Sequence, residues 1–177
     1  MHAAFAPQPY VIVAAANHPL AARHRIPMSV LCREPFLVRE KGSDTAASMA
    51  EGFGRWLSKV PIAMEIRSTE TIKQAVIAGL GIAFLSAHTV AQERQIGSLV
   101  VLDVEGFPLM LNWYVVHRKQ KRLPPIAAEF VDFLLAEGDS MLEDITRLPP
   151  APMRAAKKPA ARSRAVGARK QSSRPFT

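Results

Sequence analysis

The clearest pattern of apolar and polar residues lies in 65–86 and predicts a βαβ unit. Apolar runs at 62–67 and 81–85 predict two strands. Between them, four apolar residues recur at the i, i+3, i+4 spacing of one helical face and predict a helix over 69–79; they are Ile72, Ala75, Val76 and Leu80. Ser68 or Thr69 can cap its first turn, and Gly79 can close its last. The hydroxyls therefore lie at the carboxyl end of a strand, where open α/β sheets bind ligands.

The same alternation continues along the chain and predicts an α/β fold. Further strands are expected at 10–14, 35–39, 99–104 and 110–116, and further helices at 43–59, 88–95 and 125–137. The helix from Ser43 carries a continuous apolar stripe, which Gly52 and Gly54 weaken by about 1 kcal/mol each relative to alanine. Pro125 suits the first turn of the last helix.

Length and composition describe a globular protein of one domain, or of one domain and a fraction. The chain has 177 residues, of which 49% are hydrophobic, and no apolar run is long enough to cross a membrane. The apolar segment 10–16 follows Pro7 and Pro9 with no preceding Lys or Arg, so we interpret it as a buried strand rather than a signal peptide. Cys32 is the single cysteine, which excludes an internal disulfide and a cysteine-built zinc site. We expect a cytoplasmic location and no membrane association.

The net charge of +8 is concentrated at the C-terminal end. Residues 146–177 hold 9 of the 23 Lys and Arg and no acid, which leaves 14 basic and 15 acidic residues in 1–145. From Pro149 onward the chain has few large apolar side chains, which predicts a disordered basic tail. Such a tail can contact phosphates without sequence preference, or it can be a solvated extension with no partner.

Five segments in order resemble the effector-binding domain of LysR-type transcriptional regulators. They are HPLA (18–21), PFLVREKGS (35–43), TIKQAVIAGLGIAFLS (71–86), GFPL (106–109) and WYVVH (113–117). The resemblance covers about residues 8–138. Within the family it is greatest to the regulators of Calvin-cycle carbon-fixation operons, through IKQAV, LSAHT and the segment from GFPL to WYVVH.

The resemblance implies a periplasmic-binding-protein-like (type II) fold, with two α/β subdomains and a metabolite in the cleft between them. Relatives begin with a winged helix-turn-helix, a linker helix and half of subdomain I, which nothing before Pro9 could supply, so we expect an incomplete effector domain. The expected division is 1–32 as a remnant of subdomain I, 33–118 as subdomain II, 119–138 as a return helix and 139–177 as the disordered tail.

Three loops would converge on the cleft if the family geometry holds. The first contains Lys41, Gly42, Ser43 and Thr45 at a helix start, which favours an anionic group. Ser43 could equally be only a helix cap. Many relatives carry Arg or a similar residue where Ala46 stands, so a direct side-chain grip on a phosphate or carboxylate is in doubt here.

The second and third loops follow strands. Ser68 and Thr69 could bind a hydroxyl or sugar group, since Glu70 would repel an anion, or they could only cap the helix. In the third loop, Ser86 would lie exposed in the crevice. Phe84 would form its wall, although a phenylalanine there is more often core.

An enzyme is not expected. His88 and Ser86 lie two apart with no placed acid, the five histidines are scattered, and Gly79-Leu80-Gly81 ends a helix instead of opening one. We therefore predict no cofactor and no metal. The expected function is metabolite sensing in a homo-oligomeric regulator that binds DNA through a helix-turn-helix outside this chain, or weakly through the tail. The alternatives are a solute-binding protein of a transport system and a non-functional regulator fragment.

Overall fold

The computed structural model describes residues 2–118 and 122–146. Six strands, five α-helices and two 3-10 turns are present in this part of the chain. In order they are β1 (His2–Ala15), α1 (Met28–Leu31), β2 (Phe36–Arg39), α2 (Asp44–Phe53), a 3-10 turn (Gly54–Lys59), β3 (Ile62–Ile66), α3 (Thr69–Ile77), β4 (Ile82–Ser86), a 3-10 turn (Ala87–Val90), α4 (Ala91–Gln95), β5 (Leu99–Val101), β6 (Leu109–Val116) and α5 (Pro125–Thr146).

One mixed sheet contains all six strands. Its order is β3-β2-β4-β1-β5, with β6 also paired to β1. β2 is parallel to both β3 and β4, whereas β1 is antiparallel to β4, β5 and β6. The predicted βαβ unit is confirmed, but α3 crosses over β2, which lies between β3 and β4. The carboxyl ends of β2, β3 and β4 therefore share one edge of the sheet.

The central strands β2 and β4 are buried on both faces because the two crossover helices lie on opposite sides of the sheet. Strand residues alternate between two cores, as the period of two requires. In β2, Phe36 and Val38 pack on the face covered by α2, and Leu37 packs on the face covered by α3. The residues of α2 and α3 that reach these cores are Met49 and Phe53, and Ile72 and Val76, respectively.

The predicted helix over 43–59 is wrong in its second half. The α-helix ends at Phe53, and a 3-10 turn follows because Gly54 takes φ +47°, a backbone conformation that breaks the α-helical ladder. Phe53 closes the helix inside a cluster of aromatic rings. It makes edge contacts with Phe36, Phe84 and Phe107 at centroid distances of 5.6, 5.8 and 5.7 Å.

Gly81 explains the close approach of β4 to the residue preceding β2. A Cβ atom at Gly81 would lie 2.4 Å from the carbonyl oxygen of Pro35, which accepts a hydrogen bond from the Ile82 amide at 2.9 Å. Gly81 is therefore required for packing at this position.

The first strand is longer than predicted, and the fifth is shorter. β1 begins at His2 instead of residue 10, because residues 2–10 pair with β6. Over residues 2–9, β6 is the one neighbour of β1 among the described residues, so the other edge can accommodate Pro7 and Pro9, which have no N–H to donate. β5 is shorter than predicted and ends at Val101.

The last helix also extends beyond its predicted end at 137. α5 continues to Thr146, so residues 139–146 are helical and do not belong to a disordered tail. Residues 147–177, the rest of the predicted tail, lie outside the described residues. The subdomain boundaries drawn from the sequence stay predictions.

A buried ion pair joins α3 to α4. The Lys73 ammonium lies 2.7 Å from a carboxylate oxygen of Glu93 and 2.8 Å from one of Glu70, and Lys73 and Glu93 are both 9% exposed. Burial by itself lowers the pKa of Lys73, but the hydrogen bonds and charges of Glu70 and Glu93 outweigh it and raise that pKa. The pair therefore holds together the two helices that follow β3 and β4.

Apolar side chains are exposed on α5 and on the β1–β6 ribbon. Those on α5 are Ile126, Phe130, Phe133, Leu135 and Met141, and those on β6 are Met110, Trp113, Tyr114 and Val116. A few residues of α5 pack against β1, where Gly138 approaches the ring of Phe5. In the described residues, no helix is long and apolar enough to cross a membrane.

Candidate functional site

A cleft of about 640 Å³ opens at the edge of the sheet where β2 and β4 end. It is enclosed by the loop and first turn of α2, the start of α3, the turn after β4, and the β1–β6 ribbon. The lining residues are Gln8, Tyr10, Arg39, Glu40, Gly42, Ser43, Asp44, Thr45, Thr69, Leu85, Ser86, Thr89, Asn112, Trp113 and Tyr114.

The first predicted loop reaches this cleft with three of its four residues, Gly42, Ser43 and Thr45. Ser43 is also the N-cap of α2: its Oγ accepts from the Ala46 amide at 3.2 Å and donates to the Glu40 carbonyl at 2.8 Å. Capping and cleft lining therefore coexist at Ser43. The cap leaves other amides of the first turn without helical partners, and these favour an anion.

Lys41 does not line the cleft. It is exposed, and its backbone N–H donates to a carboxylate oxygen of Glu65 at 3.4 Å.

In the second loop, Thr69 lines the cleft and Ser68 does not. Ser68 is exposed and caps α3, because its Oγ accepts from the Thr71 amide at 3.2 Å. Thr69 accepts a hydrogen bond at Oγ1 from Arg39 Nη1 at 3.0 Å. Glu70 is absent from the cleft lining, and its carboxylate pairs with Lys73 and Gln74, whose hydrogen bonds hold its pKa below the ordinary value.

The third loop places Ser86 in the cleft but not Phe84. Ser86 is only 5% exposed, and its Oγ has no hydrogen-bond partner among the described residues. Phe84 is 3% exposed and stacks on Tyr10 at 4.9 Å within the core on the α2 side. The ring packs into that core with Phe53 and Phe107, so the prediction of a ligand contact at Phe84 is wrong.

Arg39 lines the cleft and was not among the candidates drawn from the sequence. It is the single Lys or Arg among the residues lining the cleft. Its guanidinium donates to both Glu40 carboxylate oxygens, from Nε at 2.8 Å and from Nη2 at 3.0 Å, and to Thr69 from Nη1. The hydrogen bond to Glu40 raises the pKa of Arg39, and the same bond lowers the pKa of Glu40, so the pair is fully charged. Its position at the end of a buried strand is the signal that could have identified it.

The wall formed by the β1–β6 ribbon was also missed. It contributes Gln8, Tyr10, Asn112, Trp113 and Tyr114, which are far apart in sequence and meet only through antiparallel pairing. Beside this wall the Trp113 indole N–H donates to His88 Nδ1 at 3.5 Å. Burial lowers the pKa of His88, so its ring is neutral at pH 7 and can accept that bond.

The described residues contain no group of three His, Cys, Asp or Glu side chains placed to hold a metal ion. The cleft offers hydroxyls, backbone N–H groups and one guanidinium, arranged around two carboxylates, Glu40 and Asp44. This set can bind and orient a small polar ligand through hydrogen bonds.

Residues 2–139 match the family described as the LysR substrate binding domain. The chain belongs to this family. The expected α/β effector-domain fold and the resemblance found in the sequence are thereby confirmed.

Similar members of the LysR family include transcriptional regulators of the RuBisCO operon. The chain is 50% identical over 136 residues to the HTH-type transcriptional regulator CbbR of Xanthobacter flavus, covering 76% of this chain and 41% of the relative. It is 42% identical over 137 residues to the HTH-type transcriptional activator CmpR of a Synechocystis strain, covering 77% of this chain and 45% of that relative. The chain thus spans less than half the length of these relatives. They are transcriptional regulators and not enzymes.

A solved LysR structure shows the same fold. The Synechocystis CcmR regulatory domain in complex with 2-PG superposes with a TM-score of 0.71 at 38% identity, over 77% of this chain and 65% of that one. The effector binding domain of QuiR in complex with shikimate gives a TM-score of 0.67 at 19% identity, which supports the fold alone.

Proposed function

We propose that this chain is the metabolite-sensing domain of a LysR-type transcriptional regulator, and that its effector is a small phosphorylated or carboxylated metabolite. The effector binds in the cleft between α2, β4 and the β1–β6 ribbon. Joined to a DNA-binding domain in a homo-oligomer in the cytoplasm, the domain controls transcription, with carbon-fixation genes as the target that its relatives suggest.

The observation that carries this proposal is the convergence of hydrogen-bond donors on one cleft. The start of α2 brings backbone N–H groups beside Ser43, Arg39 brings the one cation of the lining, and Thr69 and Ser86 bring hydroxyls. Donors of these kinds, with a helix N-terminus, favour a phosphate or carboxylate.

Ser86 adds a more specific sign of a ligand. A buried hydroxyl without a hydrogen-bond partner is costly, and native structures keep few of them. Rotation about one side-chain bond would turn Oγ of Ser86 from its covered position toward a ligand in the cleft. The complex of 2-PG with a domain 38% identical to this chain supports a ligand of the same class here.

Calorimetric titration tests the proposal. The chain is titrated with 2-PG, phosphoenolpyruvate and a sugar phosphate, with glycerol as the uncharged comparison. We expect at least one anion to bind and glycerol not to bind. A hydrogen bond to a charged group is worth about 1.5–3 kcal/mol, so Ser86→Ala should weaken binding by about tenfold or more.

Ser68→Ala is the control, because it removes a serine hydroxyl that lies outside the cleft. It should keep wild-type affinity. Equal loss in both variants would show that the effect comes from stability, and full affinity in Ser86→Ala would place the ligand elsewhere. Folding of each variant is checked by circular dichroism.

A further inference from the structure

The net charge of the cleft does not favour an anion, although its hydrogen-bond donors do. Among the lining residues that the structure describes, Arg39 supplies one positive charge, whereas Glu40 and Asp44 supply two negative charges. An anion entering this cleft meets a guanidinium whose charge is already compensated. Something must therefore separate Arg39 from its carboxylate partner before the full attraction becomes available.

The Arg39–Glu40 contact is bidentate. Both carboxylate oxygens accept from Arg39, at 2.8 Å from Nε and 3.0 Å from Nη2, and the two side chains are 20% and 27% exposed. This fork-to-carboxylate geometry is the one by which arginine binds the phosphate or carboxylate of a ligand. Glu40 therefore occupies one edge of Arg39 as a ligand anion would.

The remaining contacts favour exchange of Glu40 over movement of Arg39. The backbone of Arg39 is fixed in β2, and its guanidinium donates a hydrogen bond to Thr69 at 3.0 Å. Glu40 follows the end of β2, and its backbone carbonyl is fixed by Ser43 while its side chain extends into the cleft. Its carboxylate can thus turn to solvent without disturbing the cap of α2.

We propose that Glu40 is a built-in competitor for Arg39 and sets the ligand selectivity of the cleft. This inference rests on the proposed function. A ligand binds only if it replaces both hydrogen bonds that Glu40 makes and gains further contacts at the start of α2 and at Ser86. Simple anions, which gain few further contacts, are rejected. A phosphorylated metabolite of the size of 2-PG can replace these hydrogen bonds and also make the further contacts.

Removal of the competing charge tests the proposal. Glu40→Gln keeps the side-chain shape but weakens the pairing with Arg39. We expect its affinity for inorganic phosphate to rise about three- to tenfold by calorimetry, and its preference for 2-PG over inorganic phosphate to fall. Inorganic phosphate affinity equal to or below wild type would overturn the proposal and make Glu40 a residue that only positions Arg39.

Two variants separate this competition from general electrostatics. Asp44→Asn removes the same charge from the same cleft, at a residue without a contact to Arg39 among those the structure describes, and should raise phosphate affinity by less than Glu40→Gln. In an Arg39→Met background, Glu40→Gln should have no effect on phosphate affinity. An equal gain in Asp44→Asn, or a gain that persists without Arg39, would contradict competition for Arg39.

The outcomes also distinguish this inference from the proposed function. If wild type binds 2-PG and loses affinity on Ser86→Ala, but Glu40→Gln changes nothing, the site stands and the competitor role fails. If 2-PG binding is insensitive to both Ser86→Ala and Arg39→Met, the site itself is wrong.

Discussion

Replacing Ser86 by alanine should raise stability and lower ligand affinity at the same time. The Oγ of Ser86 is buried without a partner among the described residues. Protein mutational data put the cost of such a hydroxyl at about 1–3 kcal/mol. Alanine removes the hydroxyl and leaves little empty space, so the free protein should gain about 1 kcal/mol in its free energy of unfolding.

The ligand should stabilise Ser86→Ala less than it stabilises wild type. At a ligand concentration of 100 times the wild-type Kd, binding stabilises the wild type by about 2.7 kcal/mol. A tenfold weaker Kd reduces this to about 1.4 kcal/mol in the variant. The variant should therefore be more stable than wild type without 2-PG and equal to or less stable than wild type with it.

Thermal unfolding with and without 2-PG measures both effects in one assay. A change of 1 kcal/mol corresponds to about 3–4 °C for a domain of this size. Ser43→Ala provides the comparison: it removes the cap of α2 and should lower stability by about 0.5–2 kcal/mol in the free protein. A free Ser86→Ala protein that is destabilised by 1 kcal/mol or more, or one that gains as much from 2-PG as wild type, would refute the reasoning.

Three further changes test the core, the ion pair and the tail. Lys73→Met should lower the free energy of unfolding in urea by about 3–5 kcal/mol, because it leaves the Glu93 carboxylate buried without its cation. Adding Glu93→Gln should restore part of this loss. Equal stability of the single and double variants would contradict the role of the ion pair. Phe53→Ala should cost about 3–5 kcal/mol, and Phe53→Leu less than about 1.5 kcal/mol; equal costs would contradict the aromatic packing. Deleting 146–177 should abolish any salt-dependent binding to non-specific DNA, and sequence-specific operator binding that survives the deletion would contradict the assignment of DNA contacts to the tail.

The strands and crossover helices could be predicted because each carries its burial pattern in its own sequence. The stripe of α3 and the apolar runs of β2 and β4 were enough to place the parallel part of the sheet and the edge at which the cleft opens. The resemblance to LysR regulators then gave the loops that reach the cleft, and Gly42, Ser43 and Ser86 do lie there.

What the sequence could not show depends on contacts between distant segments. The extension of β1 to His2 and the cleft wall at Trp113 follow from pairing of β1 with β6, which no local pattern encodes. Phe84 was misplaced because its contacts with Tyr10 and Phe53 in the core could not be read from its position at the end of a strand. The candidate role of Arg39 was missed because it depends on a hydrogen bond to Thr69, which lies thirty residues away in the sequence.

The position of the ligand tests the central claim most directly. A crystal structure of the chain with 2-PG should show its phosphate or carboxylate at the start of α2, within hydrogen-bond distance of the Arg39 guanidinium and the Ser86 hydroxyl, with the Glu40 carboxylate turned away from Arg39. An empty cleft at saturating 2-PG, or 2-PG bound on α5 or on the outer side of the β1–β6 ribbon, would contradict the account.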